Sequence, residues 1–186
     1  NIAAMAVNSR AHRPLAKPAP INAFHKAPTA IIGPVDTMIL PDAPATIFEG
    51  EAEMAVVIGK RATNVPAAQA MDHIFGYINF IDGSARGLPP PGNVFFQMKS
   101  RDTFAPIGPY LVTADDINDP LKLQIQLWNS GSLMQNFHTA DMCPQIAKST
   151  AWLSCIHTLL LGGPVATRPN HPPPHPSIPH TASPQP

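Results

Sequence analysis

Proline sets the first limits on what this chain can become. There are 24 prolines in 186 residues, and each withholds a backbone donor and fixes φ, so none fits inside a long helix or a central strand. They are densest in a proline- and alanine-rich stretch from about Arg13 to Pro34, in the loop GLPPPGN (Gly87–Asn93), and in the last segment, where nine of the 24 fall between Pro164 and Pro186. The first stretch reads as an extended connection, and the second cannot be regular structure. The third carries His171, His175 and His180 and almost no large apolar residue. It cannot offset its ordering entropy by burial, so residues 164–186 are expected to be a flexible Pro/His-rich tail.

The segments left between these stretches are short and mostly rich in branched and aromatic residues. Strands are expected at Ile2–Val7, Thr37–Leu40, Glu51–Ile58, Phe75–Ile81, Val94–Met98, Tyr110–Val112 and Leu121–Trp128. A turn at Asn129–Gly131 would lead into a further strand, Leu133–Phe137. Helices are expected at Ala67–His73, opened by Pro66, and at Cys143–Leu159, with Pro144 in the first turn and Ile146, Leu153, Ile156 and Leu160 along one face. Many strands and few helices, without βαβ alternation, make this an α+β, mainly β fold.

Charge narrows the partners. Twelve basic residues balance twelve acidic ones, so no global field recruits nucleic acid or an anionic membrane. No apolar run approaches the ~20 residues of a membrane-spanning helix, and no signal peptide is visible. Cys143 and Cys155 would lie about 18 Å apart along one helix at ~1.5 Å per residue, too far for a disulfide. Free thiols in a reducing, cytoplasmic setting are therefore expected.

Only 13% of the residues are charged, so acids in apolar surroundings stand out. Glu51 and Glu53 open the strand EAEMAVVI and, two residues apart, project from one face with Ala55 and Val57; Met54, Val56 and Ile58 line the other. On spacing alone such a pair is most often the wet face of an antiparallel strand. Asp82, however, closes the apolar run FGYINFI and can reach the same point. Three converging carboxylates repel and lose hydration unless a cation joins them, and oxygen ligands with open positions suit Mg²⁺ or Mn²⁺.

EAEMAVVIGK (Glu51–Lys60), GYINFIDGSAR (Gly76–Arg86) and KSRDTFAPIGPYLVT (Lys99–Thr113) follow one another in that order. They resemble successive blocks of the fumarylacetoacetate hydrolase family, as do HKAPTAIIGP (His25–Pro34) and Gln135 with Thr139–Met142. The similarity spans about residues 8–165. It implies a mixed-sheet, β-roll-like catalytic domain over 1–163 with two or three short helices, incomplete at its C-terminal end. It also implies a metal held by Glu51, Glu53 and Asp82, catalytic roles for Lys99 and His12, and substrate contacts from Arg86 and Gln135. Arg86 has a second possible role, a structural ion pair with a nearby acid. The activity implied is divalent-metal-dependent C–C bond hydrolysis of an acylpyruvate or 1,3-diketo acid through a metal-bound enolate, in a homodimer. Decarboxylation of a β-keto acid, isomerisation of a hydroxydienedioate, and an impaired binding homologue are the alternatives. The sequence departs from the family pattern at Ser9 and Leu15, where a tyrosine and a glutamate are usual, at Gly87 and Pro89, and at Arg168 and Pro169.

Overall fold

A computed structural model describes residues 2–6, 20–92, 94–142 and 144–167. His12, Ser9, Leu15, Cys143 and everything past Thr167 lie outside the described residues. Among the described residues nine strands form, β1 (Ile2–Ala6), β2 (Asn22–Lys26), β3 (Ile31–Ile32), β4 (Ile47–Ile58), β5 (Ile74–Arg86), β6 (Ala105–Thr113), β7 (Gln124–Asn129), β8 (Ser132–His138) and β9 (Pro164–Thr167). Two α-helices accompany them, α1 (Phe95–Lys99) and α2 (Ile146–Ile156), with four short 3-10 turns. Seven strands make one sheet in the order β2-β1-β9-β4-β5-β6-β3, and β7 and β8 form a separate hairpin. The β1–β9 and β3–β6 pairs are parallel and the rest antiparallel, so the sheet is mixed and the fold mainly β, as expected. None of the described helices is long and apolar enough to cross a membrane.

The long antiparallel pair β4–β5 is the spine. Along β4 from Phe48 to Ile58 the residues are buried on both faces, and Tyr77 and Phe80 of β5 are buried with them. Met54, Val56 and Ile58 join Tyr77 in a core completed by Ile146 and Leu153 of α2. Ala55 and Phe80, on the acid-bearing face, pack with Ile2, Ala4 and Ala105. Ser154 ties α2 down by accepting the Val65 N–H at 2.9 Å.

Several local expectations are corrected. Val94–Met98 is not a strand: Phe95–Lys99 is helical, because an apolar run of five carries no periodicity that separates the two states. Thr37–Leu40 is irregular, and the connection expected through Pro34 holds β2, a 3-10 turn at Pro28–Ala30, and β3. Pro20 and Pro28 flank β2, leaving its five residues free to pair with β1. α2 stops at Ile156, where His157 turns extended; with the helix ended, Ile156 and Leu160 are 61% and 63% exposed instead of continuing the buried face of Ile146 and Leu153. Pro164–Thr167, expected at the start of the tail, is a strand between β1 and β4 that buries Val165 and Ala166.

Candidate metal centre

β4 carries glutamates at alternate positions, Glu49, Glu51 and Glu53, and the pleat sends all three to one face. The antiparallel register places Glu51 directly opposite Asp82 of β5. One carboxylate oxygen from each of Glu51, Glu53 and Asp82 lies within 4.8 Å of the others. The three residues are 0%, 1% and 1% exposed, which removes the wet-face reading of the glutamate pair.

Three bases meet these acids. Lys99, delivered by the end of α1, donates to Glu51 Oε2 at 2.6 Å and also to Asp82 Oδ2. Lys26, from the end of β2, reaches Asp82 Oδ1 at 2.7 Å. Arg86 lies over Glu49 Oε2 through Nε at 2.6 Å and over Glu51 Oε1 through Nη2 at 3.1 Å. Of the two roles open to Arg86, these contacts are those of the ion pair. Burial pushes the Lys26 ammonium below its ordinary range, against the pull of Asp82. Burial also pulls the Arg86 guanidinium down, but Glu51 and Glu49 outweigh it and hold the group up.

Gln135 reaches in from β8. Its Oε1 accepts the Ala52 N–H at 2.7 Å, while its Nε2 is buried without a hydrogen-bond partner. A donor left so costs about 1–3 kcal/mol, which makes it a natural place for a ligand oxygen to bond. Beside the acids is a cleft of about 590 Å³ lined by Ala52, Glu53, Asn79, Ile107, Gln124 and Gln126.

The residues present fit a divalent ion. All three candidate ligands are hard carboxylates, close enough to share one cation. Glu49 lies on the same face, so four buried acids gather at this end of β4 and β5. Of the residues singled out in the sequence, Glu51, Glu53, Asp82, Lys99 and Arg86 come together, Gln135 joins the strand beside them, and His12 lies outside the described residues. Sequence reasoning missed Glu49 and Lys26. Glu49 was readable as one more step of the alternation in EGEAE; Lys26 carried no spacing signal, because its partners come from elsewhere in the chain.

A mixed sheet that buries three converging carboxylates defines a candidate divalent-metal protein. Residues 1–167 match the family model described as fumarylacetoacetate (FAA) hydrolase C-terminal, and the chain belongs to the fumarylacetoacetate hydrolase family. It is 38% identical over 144 residues to an uncharacterised protein of Archaeoglobus fulgidus, covering 77% of this chain and 56% of that one. It is 39% identical over 138 residues to a mitochondrial oxaloacetate tautomerase of Xenopus laevis, covering 73% and 43%. The chain thus spans about half the length of these relatives. Among solved structures, 2-hydroxyhepta-2,4-diene-1,7-dioate isomerase from Mycobacterium marinum superposes with a TM-score of 0.83 at 33% identity, over 95% of this chain and 65% of that one. Maleylpyruvate hydrolase from Sphingobium sp. SYK-6, in complex with manganese (II) and pyruvate, gives 0.80 at 34% identity, over 95% and 61%. Family members are therefore enzymes, and they include a hydrolase, an isomerase and a tautomerase.

Proposed function

We propose that this chain is a divalent-metal enzyme that cleaves a C–C bond in an acylpyruvate or related 1,3-diketo acid by hydrolysis. The observation that carries the reading is the buried convergence of Glu51, Glu53 and Asp82 within reach of Lys99. Glu51, Glu53 and Asp82 would hold Mg²⁺ or Mn²⁺, which when bound supplies Lewis-acid polarisation of substrate oxygens. Lys99 presents an ammonium in a water-poor site, where it stabilises negative charge developing on a keto oxygen as the bond breaks. Arg86 orients Glu51 through the Nη2–Oε1 contact rather than binding substrate. Gln135 Nε2 offers a fixed donor to a substrate oxygen. His12 is the base assigned to activate water, by family resemblance alone.

Leu15 favours a second reading. An apolar side chain stands where the family usually has the glutamate that partners this histidine, whereas tautomerisation or decarboxylation of a β-keto acid needs no attacking water. The similarity to an oxaloacetate tautomerase points the same way. The experiment is incubation of the Mn²⁺- or Mg²⁺-loaded chain with acetylpyruvate and, separately, with oxaloacetate, with products followed by NMR. Acetate and pyruvate from acetylpyruvate support hydrolysis. Accelerated keto–enol exchange or carbon dioxide release from oxaloacetate, without acetate from acetylpyruvate, replaces it with the second reading. Activity that survives Glu51→Ala would belong to another site.

A further inference from the structure

Lys26 is completely buried, and beyond its contact with Asp82 neither the block HKAPTAIIGP nor the ligand set assigns it a task. Its ammonium faces four oxygens from two stretches of the chain, Asp82 with Gly83 and Lys99 with Phe104. These are Asp82 Oδ1 at 2.7 Å, the carbonyls of Phe104 at 2.9 Å and Gly83 at 3.2 Å, and the carbonyl of Lys99. An ammonium has only three protons, so it is shared among these acceptors, and no oxygen-lined pocket of this size suits a guanidinium. The segment it gathers is held tightly in other ways too. The Phe104 carbonyl also accepts the Gly83 N–H at 2.9 Å, and a Cβ at Gly83 would come within 2.9 Å of that same oxygen. Thr103 adopts φ of 67°, a conformation β-branched residues avoid and keep only where the surroundings impose it.

We propose that Lys26 is a positioning residue of the metal centre. By holding Asp82 through Oδ1 it leaves Oδ2 facing Lys99 and, across it, Glu51. By gripping the carbonyls of Lys99 and Phe104 it fixes the backbone from which the Lys99 ammonium enters. This inference rests on the metal-centre reading above and concerns how that centre is kept in shape.

Two effects oppose each other when Lys26 is replaced. Removing its charge favours a metal ion by Coulomb attraction, and removing its geometry disfavours one. Lys26→Arg keeps the charge and loses the fit, so it isolates the positioning effect. Mn²⁺ affinity of the full chain is measured by calorimetry and the bound ion by electron paramagnetic resonance. Leu153→Ala, in the distant α2 core, serves as a control for lost stability. Lys26→Arg is expected to weaken Mn²⁺ binding at least tenfold and to change the zero-field splitting of the bound ion, while Leu153→Ala leaves both as in wild type. Lys26→Met is expected to bind more tightly than Lys26→Arg but to keep an altered spectrum. Wild-type affinity and spectrum in Lys26→Arg would overturn the proposal. So would failure of both variants to fold in saturating Mn²⁺, because the lysine would then belong to the fold as a whole. If the wild-type protein itself binds no Mn²⁺, the metal-centre reading has failed instead.

Discussion

Lys99 and a divalent ion compete for the same ground, since the ammonium already lies between Glu51 and Asp82. A unit charge at about 4 Å is worth roughly 4 kcal/mol at an effective dielectric of ~20, so even a fraction of that term is measurable. Lys99→Met is accordingly expected to bind Mn²⁺ about tenfold more tightly, or ~1.4 kcal/mol, while losing at least about a hundredfold in turnover. Calorimetry beside steady-state kinetics checks both signs, and unchanged or weaker binding contradicts the competition. Away from the site, the His25 and His157 rings meet edge to face at 5.1 Å. Burial first, and then the neighbouring His157, lower the His25 pKa below its ordinary 6.5. In the window between that lowered value and 6.5 the unfolded chain binds more protons than the folded one, so stability rises with pH there and falls as pH drops through it. The melting temperature should therefore decline from pH 7 to pH 5, and His157→Gln should shallow the decline. An identical slope in the variant would remove the pair as its cause.

Among the elements, legibility followed how local the signal was. β4 and the core of β5 were readable because branched and aromatic residues, bounded by turn formers, declare a strand without help from the rest of the molecule. The alternation in β4 also fixed which side the acids take. β2 was hidden because its five residues are stabilised by pairing with β1, a contact between distant segments, and α1 was misread because its run is too short to show a period. β6 poses a different problem. β3 pairs only with Ala105 and Pro106, so the outer edge from Ile107 to Thr113 has no strand partner among the described residues. Tyr110, Leu111 and Val112 there are 79%, 41% and 38% exposed. An apolar open edge invites pairing with another strand, and a homodimer through it is the outcome to test. Sedimentation velocity should find a dimer that Tyr110→Lys shifts toward monomer; a monomer at all concentrations would refute it.

At the scale of the whole molecule, the candidate metal centre joins β2, β4, β5 and the end of α1, so it should report on folding as well as chemistry. The sequence carried the acids and, through the motif order, Lys99. It did not carry Lys26, whose four acceptors are assembled only when β2 is drawn against β5 and the segment after α1. An ion that binds only the folded chain stabilises it by about 2.7 kcal/mol at a concentration near 100 times its Kd, and the melting temperature should rise and return with a chelator. Glu51→Ala should lose that rise. Without the ion it should destabilise the chain only modestly, since Lys99 keeps Asp82 and Arg86 keeps Glu49.

The most direct measurement is a calorimetric titration of the chelator-treated protein with Mn²⁺, run in parallel on wild type, Glu51→Ala and Asp82→Asn. Saturable binding of one ion per chain in wild type, lost or weakened at least a hundredfold in both variants, is the predicted result. No binding by a folded wild-type chain, or equal binding by all three, would contradict a metal centre built from these carboxylates.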